Sequence, residues 1–168
     1  MPEDGKRYEA IGGHLYVTPA PRTRHQWVTM SLVRELLPLL SGHGRLFTAP
    51  VGVEFVDTEE GVQPDLLFVS ADRLKIIREL TIQGPPDLVI EILSPGTARR
   101  DRGVKLDLYR RQGVAEYWIV DLDAKSVEVW PFSSSASAVE RHTDHVPVRL
   151  GSQTLGTIPL EKIFDWPE

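Results

Sequence analysis

Cysteine does not occur in this chain of 168 residues. Its absence excludes a disulfide framework, a thiol nucleophile and any zinc or iron–sulfur site with cysteine ligands, and it favours a reducing environment. The chain also lacks an apolar run near the roughly 20 residues that span a bilayer, and its first residues form no signal peptide. We therefore expect a cytoplasmic protein that does not associate with membranes.

A strong positive charge is missing as well. The net charge of −5 argues against a general coating protein for polyanions, although it leaves room for a local basic groove. Residues 99–111 hold six basic and two acidic side chains, and a run of this kind is most often a solvated helix face. The sequence has no phosphate loop, no Gly-x-Ser-x-Gly elbow and no His-x-x-x-His zinc pair.

Composition and periodicity predict one α/β domain over residues 1–168, with a mixed sheet that opens on an N-terminal β-hairpin. The predicted helices are 23–40, which Pro38 should kink or end, and a second from about 98 or 101 to 112, with weaker helical character in 70–80. The predicted strands are a pair within 8–17, one or two within 46–56, and 63–69, 87–93, 115–121, 126–130 and 146–150. Residues 133–145 are expected to form an exposed or mobile loop, and 160–166 a short closing element.

One carboxylate interrupts an otherwise apolar run. Residues 87–93 have the length and β-branched content of a strand buried on both faces, and Glu91 lies inside them. An ionised carboxylate there costs several kcal/mol unless a partner or a metal ion offsets its charge, or unless it binds a proton. Glu91 is therefore the leading candidate for a functional residue.

A second acid and a lysine accompany Glu91. Asp65 opens an upstream hydrophobic strand, and Lys105 lies in the basic segment downstream. If the two strands are neighbours, their alternation lets Asp65 and Glu91 converge on one cation, and Mg²⁺ and Mn²⁺ prefer such oxygen ligands. A bound divalent ion activates water for attack on a phosphoryl group, and a nearby ammonium stabilises the developing charge. The pattern therefore predicts a metal-dependent hydrolase site.

Each of these residues also has a purely structural explanation. Asp65 follows Pro64 at a strand entrance, where an acid often caps a turn. Glu91 could form a buried ion pair with an arginine. Lys105 has Asp101 four residues before it, so the two could form a surface pair. The joint occurrence of both acids and the lysine, in this order, favours the functional interpretation.

Several segments together resemble the Uma family of putative restriction endonucleases, which is placed in the PD-(D/E)XK nuclease superfamily. The similar segments lie within about residues 8–130 and are Tyr8–Gly13, Arg24–Gln26, Val62–Val69, Gly84–Pro95, Asp101–Tyr109 and Glu116–Asp121. The resemblance implies a restriction-endonuclease-like core, in which helices flank a central mixed β-sheet.

The resemblance also implies roles for individual residues. Asp65 is the first metal-binding carboxylate and Glu91 the second, and the backbone carbonyl of Ile92 assists them. The general superfamily pattern has a lysine two residues after the second acid, where this chain has Leu93. Related branches place the lysine on the following helix, and Lys105 fits that position.

Five further residues are candidates for contacts with substrate or for support of the two acids. His25 lies near the start of the first helix, and Glu9 matches a family position, although a helix-end histidine and a polar strand residue explain them equally well. Ser94 is suited to cap the turn after the Glu91 strand. The remaining two candidates, Asp101 and Arg102, precede Lys105 in the same segment.

Residues and resemblance together predict a Mg²⁺- or Mn²⁺-dependent endonuclease that hydrolyses phosphodiester bonds in DNA. The alternative is a catalytically inactive module that keeps the nuclease fold and binds nucleic acid or an unidentified protein partner. The displaced lysine and the acidic net charge favour this alternative. We also expect a homodimer, because a small nuclease that cuts both strands of DNA needs two sites.

Overall fold

The computed structural model describes residues 4–134 and 138–167. Its helices are α1 (Thr23–Leu40), α2 (Ala98–Asp101) and α3 (Val104–Arg111), with 3₁₀ turns at Val56–Thr58, Ala71–Ile76 and Leu160–Lys162. Its strands are β1 (Arg7–Ile11), β2 (His14–Thr18), β3 (Gly44–Thr48), β4 (Gly52–Phe55), β5 (Glu60–Val62), β6 (Leu66–Ser70), β7 (Thr81–Gln83), β8 (Leu88–Ile92), β9 (Glu116–Asp121), β10 (Ser126–Trp130), β11 (Glu140–His142), β12 (His145–Leu150) and β13 (Gln153–Pro159). No helix in the described part of the chain is long and apolar enough to span a membrane.

The strands form two main sheets and one separate pair. The central sheet has six strands in the order β11-β10-β9-β8-β6-β3, and it is mixed because β8 and β9 run parallel while its other neighbours are antiparallel. The second sheet has the order β2-β1-β5-β4-β7 and begins with the N-terminal hairpin of β1 and β2. β12 and β13 pair only with each other in the described chain. The predicted α/β fold, with its mixed sheet and N-terminal hairpin, is confirmed.

The alternation of side chains along β6 and β8 divides the apolar residues between two cores. Leu66 and Ile90 point into one core together with the buried face of α1. Leu67 and Val89 point into the other, which also contains buried residues of α3. Both faces of the central strands are therefore buried, which explains why their sequences are almost continuously apolar. Glu91 shares the face of Val89 and consequently lies on the side of α3.

α1 begins and ends where the sequence predicts. Its buried stripe consists of apolar residues four positions apart, Val28, Leu32, Leu36 and Leu40. Pro38 lies inside the last turn, and the amide of Ser41 still donates to the carbonyl of Leu37 at 3.0 Å. The helix therefore continues for two residues beyond Pro38 and does not end there.

The helix predicted from about 98 or 101 to 112 is present, but it is not continuous from 98. The helical segment is divided into α2 and α3 by Arg102 and Gly103, and Gly103 has φ −114° and ψ −98°, outside the helical region. A Cβ at this position would lie 2.9 Å from the carbonyl oxygen of Arg99, so the bend depends on glycine. Because the helix restarts after the bend, Lys105 stands in the first turn of α3.

Other differences concern short strands. The 46–56 region forms two strands, β3 and β4, which belong to different sheets and are joined through the cis bond between Ala49 and Pro50. The strand predicted from residue 63 begins at Leu66, and β5, β7 and β13 were not predicted. The loop predicted over 133–145 contains β11, which pairs with β10 as an edge strand, while residues 135–137 of that loop lie outside the described residues.

Candidate active site

The register of β6 and β8 places the two candidate acids side by side. Leu66 is opposite Ile90 in this antiparallel pair, so the next position in each direction brings Asp65 opposite Glu91. Asp65 immediately precedes β6, while Glu91 is the fourth residue of β8. Both side chains are buried, with 3% and 2% of the residue surface exposed. The predicted convergence of the two acids therefore follows from the pairing of these strands.

Three groups stabilise the Asp65 carboxylate, two as hydrogen-bond donors and one as a cation. Its Oδ2 accepts hydrogen bonds from the amide of Ile92 at 2.7 Å and from His25 Nε2 at 3.1 Å. Its Oδ1 is 2.7 Å from a guanidinium nitrogen of Arg7, without the alignment of a hydrogen bond. Burial alone would raise the pKa of Asp65, but the His25 hydrogen bond and the charge of Arg7 outweigh it and hold the pKa below its ordinary value.

His25 reaches Asp65 from the first turn of α1. A carboxylate only accepts hydrogen bonds, so Nε2 must carry the proton in this contact. The other ring nitrogen, Nδ1, is buried and has no hydrogen-bond partner among the described residues. Asp65 Oδ1 is likewise buried and accepts no hydrogen bond from the described residues, so this contact contains two buried polar atoms without a hydrogen bond.

Lys105 supplies the positive charge beside Glu91. Its Nζ is 2.5 Å from Glu91 Oε1 and 2.9 Å from Glu9 Oε1, and its side chain is 3% exposed. The hydroxyl of Tyr109, one helical turn further along α3, donates to the same Glu91 oxygen at 2.7 Å. The second oxygen of Glu91, Oε2, accepts no hydrogen bond from the described residues. Leu93, at the usual lysine position of the superfamily pattern, carries no charge, and Lys105 of α3 provides the positive charge instead.

Glu9 and Asp101 complete the buried cluster around Lys105. Glu9, in β1, also accepts a hydrogen bond from the amide of Gln63 at 2.9 Å. An Asp101 oxygen is 4.0 Å from Lys105 Nζ, and both side chains are buried rather than exposed as in the surface-pair explanation. Counted with Asp65 and Glu91, four buried carboxylates lie within 4.0 Å of two cations, Lys105 and Arg7, and the charge of Arg100 also acts on Glu9. The cluster therefore carries more negative than positive charge when all four acids are ionised.

This charge imbalance changes the proton affinities of the cluster. The pKa of Glu91 rises to about 8, because burial and the charges of Asp65, Asp101 and Glu9 outweigh the attraction of Lys105. The pKa of Asp101 is also raised, chiefly by burial. Burial lowers the pKa of Lys105, but the carboxylates of Glu91, Glu9 and Asp101 outweigh it and raise that pKa above its ordinary value. Lys105 is therefore an ammonium donor at neutral pH.

The cluster lies at a cavity of about 700 Å³. Most of the cavity wall comes from three stretches of chain, residues 17–22 at the end of β2 and before α1, residues 93–98 after β8, and residues 121–123 after β9. All nine residues that the sequence indicated border this cavity: Glu9, His25, Asp65, Glu91, Ile92, Ser94, Asp101, Arg102 and Lys105.

The peripheral candidates contribute in different ways. Ser94 closes the turn after β8, where its amide and hydroxyl contact the hydroxyl of Thr97 at 3.2 and 3.0 Å. Arg102 is directed away from the acids, since its guanidinium pairs with Asp121 and with Glu128. The amide of Ile92 donates to Asp65, and the role of the Ile92 carbonyl as a metal ligand stays a prediction.

Arg7 and Arg100 are cavity residues that sequence reasoning missed. Arg7 is the first residue of β1, two positions before Glu9, so the alternation of β1 places both side chains on the same face. Once Glu9 was a candidate, the spacing of two residues could have indicated that Arg7 lies beside it. Arg100 was counted only as part of a basic run, and nothing in the sequence distinguished it from its neighbours.

The sequence and the fold both have relatives. Residues 1–153 match the family described as "Uma2: Putative restriction endonuclease". A solved structure described as a putative nuclease belonging to DUF820, from Anabaena variabilis ATCC 29413, has a TM-score of 0.78 and 20% sequence identity, over 99% of this chain and 94% of that chain. This likeness shows the fold, and no curated protein matches the sequence. Since the family match covers nearly the whole chain and includes all the cavity segments, the chain belongs to the Uma2 family of putative restriction endonucleases.

Proposed function

We propose that this protein is a Mg²⁺- or Mn²⁺-dependent endonuclease that hydrolyses phosphodiester bonds in DNA. The observation that carries the proposal is the convergence of Asp65 and Glu91, both buried, on one cavity, with Lys105 against Glu91. Membership of a family of putative restriction endonucleases supports it.

The chemistry of the two acids fits a divalent cation. No hydrogen bond from the described chain reaches Glu91 Oε2, and Asp65 Oδ1 is contacted by the Arg7 guanidinium without a hydrogen bond, so a cation would take the first oxygen and displace or share Arg7 at the second. Oxygen ligands and an excess of negative charge suit Mg²⁺ or Mn²⁺, which usually keep several waters and take one or two carboxylates. In residues 4–134 and 138–167 no three His, Asp or Glu side chains are arranged as a metal-binding group, so waters would supply the other ligands.

The residues of the cavity have distinct tasks in this proposal. Asp65 and Glu91 would hold the ion, which polarises a phosphoryl oxygen and lowers the pKa of the attacking water. Lys105 remains protonated, so it acts as a cation toward the developing charge on the phosphate and not as a general base. Tyr109 and Lys105 fix the orientation of Glu91, while His25 and the Ile92 amide fix that of Asp65.

Calorimetric titration with Mn²⁺ tests the metal site directly. We expect the wild-type protein to bind Mn²⁺. Loss of an outer-shell partner of a metal site typically weakens binding about 10–100-fold, so Asp65→Asn or Glu91→Gln, which removes a ligand, should weaken it at least as much. Glu60→Gln is the matched control, because Glu60 is a buried carboxylate paired with Arg111 and does not border the cavity. Absence of Mn²⁺ binding by the wild-type protein, or equal binding by the Asp65 variant, contradicts the proposal.

One observation favours a non-catalytic module as a second candidate. Arg7 already contacts Asp65 and Lys105 already contacts Glu91, so each acid has a protein counter-ion in this arrangement. A nicking assay on supercoiled plasmid with Mn²⁺ separates the two functions. If the protein is an endonuclease, Glu91→Gln should abolish nicking while the variant still folds. A binding module requires that neither protein nicks, and that affinity for DNA or a protein partner survives the substitution.

A further inference from the structure

One edge of the second sheet is open to a further strand. β2 pairs only with β1 in the described chain. Native edge strands are usually short, charged, bulged or interrupted by proline, because an unprotected edge pairs with another chain. The other edge strands of the two main sheets follow this rule, since β7 and β11 have three residues each and β3 contains Arg45. β2 has five residues, none of them an acid, lysine, arginine or proline, and its pairing with β1 contains no bulge.

The hairpin turn determines which backbone groups of β2 point toward the open side. Residues 12–13 are both glycine, with φ 56° and 77°, the positive values that a type I′ hairpin turn requires. In such a turn the amide of the fourth residue, His14, donates to the carbonyl of the first, Ile11. Because the direction of these groups alternates along a strand, the amides and carbonyls of Leu15 and Val17 point away from β1.

A second copy of β2 that runs antiparallel to the first is complementary to these groups. When Tyr16 of one copy lies opposite the partner's Tyr16, Leu15 lies opposite the partner's Val17, and this pair exchanges two hydrogen bonds. The two-fold axis repeats the exchange, so every outward amide and carbonyl of Leu15 and Val17 is satisfied. The same register brings two exposed apolar side chains together on the solvent face, since Leu15 is 67% and Val17 47% exposed.

We propose that two copies of this chain associate through β2, antiparallel about a two-fold axis at Tyr16, so that their five-stranded sheets join into one. Residues opposite each other in a sheet point to the same face, and Glu9 lies opposite Tyr16. The two copies of Glu9 therefore lie on one face of the joined sheet, three strand spacings or about 14 Å apart at their Cα atoms. The homodimer expected from the sequence thus has a defined interface, with both candidate active sites on the same face. This association does not depend on the proposed nuclease function.

The interface is small, so the dimer should be weak. Five residues a side are far fewer than the about 20–30 a side of a standard stable interface. Arg100 lies over the ring of Tyr16, 5.3 Å from its centroid, so the axis also brings two like charges toward each other. We expect reversible association with a dissociation constant in the micromolar range, which decreases when added salt screens these charges.

Light scattering over a concentration series tests the association. We expect the wild-type protein to change from monomer to dimer between about 1 and 100 µM. Val17→Pro removes one outward amide from each copy, and hence two of the four hydrogen bonds, so it should raise the dissociation constant at least about fivefold. The variant monomer should still fold, because proline is tolerated in an edge strand where its nitrogen faces solvent. Met30→Lys is the control, because Met30 is 60% exposed on α1, away from β2, and its replacement should leave the association unchanged.

Single cysteine variants test the register. The chain has no cysteine of its own, so any disulfide must come from the introduced residue. Tyr16→Cys should form a disulfide-linked dimer on mild oxidation, because the two Cα atoms across the axis would be about 4.5 Å apart, within the range of disulfides. His14→Cys is the control, because its counterpart would be four residues further along the partner strand, about 14 Å away.

The inference is overturned if the wild-type protein stays monomeric at about 100 µM in both low and high salt. It is also overturned if a folded Val17→Pro protein dimerises as tightly as the wild-type protein, if Met30→Lys alone separates the copies, or if His14→Cys forms disulfides as readily as Tyr16→Cys. If Val17→Pro does not fold, the two cysteine variants still decide the register. These measurements use neither metal nor DNA, so failure of this inference is distinguishable from failure of the proposed function.

Discussion

Replacement of Lys105 by methionine should destabilise the protein strongly. Methionine fills a similar space but carries no charge, so Glu9, Glu91 and Asp101 would lose the ammonium that lies 2.9, 2.5 and 4.0 Å from their oxygens. All these side chains are no more than 3% exposed, so solvent compensates only weakly for the lost partner. Removal of one partner from a buried ion pair typically costs about 3–5 kcal/mol.

Urea and thermal unfolding of the metal-free protein at pH 9, above the pKa of Glu91 in the wild-type protein, measure this cost. For a domain of this length, each kcal/mol corresponds to about 2–4 °C in melting temperature, so we expect a decrease of about 6–20 °C. Lys162→Met is the control, because Lys162 is 53% exposed and 3.7 Å from its partner Glu35. An exposed pair of this kind contributes about 0–1 kcal/mol, so the control should unfold close to the wild-type temperature.

A double-mutant cycle identifies the source of the instability. When Lys105→Met is combined with Glu91→Gln, the buried carboxylate nearest to the lost ammonium is also neutral, and part of the stability should return. The coupling energy for residues in direct contact is about 0.5–3 kcal/mol. The reasoning is refuted if Lys105→Met costs less than about 1 kcal/mol, the range of an exposed pair, or if the double variant is as unstable as the sum of the two single variants predicts.

Three further predictions concern other parts of the molecule. The hydrogen bond from Arg111 lowers the pKa of Glu60 to about 2 from 4.5, so the pair should stabilise the fold above about pH 4.5 and lose that effect as pH falls toward 2. The loss should be about 2 kcal/mol, because Arg111 is 38% exposed and solvent weakens the pair. In urea unfolding, the free energy of unfolding of Arg111→Met should therefore fall less steeply than that of the wild-type protein as pH decreases. Arg7→Met should tighten Mn²⁺ binding in calorimetry, since Arg7 occupies Asp65 Oδ1, and weaker binding would contradict that competition. Gly44→Ala should lower the free energy of unfolding by at least about 1–3 kcal/mol, because its Cβ would lie 2.1 Å from a backbone carbonyl oxygen of β6, and wild-type stability would refute this close approach.

The sequence was most informative where one strong local signal determines the structure. The apolar runs around Asp65 and Glu91 predict two buried strands, and strand alternation then predicts that the acids share a face. Their actual pairing, with Leu66 opposite Ile90, also required the two strands to be neighbours, which periodicity cannot establish. The long helix α1 was predicted with its bounds because its apolar stripe repeats over five turns.

The weaker predictions failed where tertiary contacts decide the outcome. Short strands such as β7 and β11 contain only three residues each, too few for a recognisable period, and they form because a neighbouring strand offers hydrogen bonds. Lys105 had an obvious local partner in Asp101 at helical spacing. Its closer contacts are Glu9 and Glu91, which are 96 and 14 positions away in the chain and could be found only from the fold.

Glu60 and Glu91 show what separates a structural buried carboxylate from a functional candidate. Protein donors meet both oxygens of Glu60, since Oε1 accepts from the Gly12 amide and Arg111 while Oε2 accepts from Thr58, Gln112 and Arg111. The pKa of Glu60 is accordingly low, about 2, whereas that of Glu91 is raised to about 8. Glu91 has donors on one oxygen only and shares its lysine with two other carboxylates. A fold that needed only a buried ion pair would satisfy Glu91 as it satisfies Glu60, so the unmatched oxygen and the excess charge at the cavity favour a cation from outside the chain.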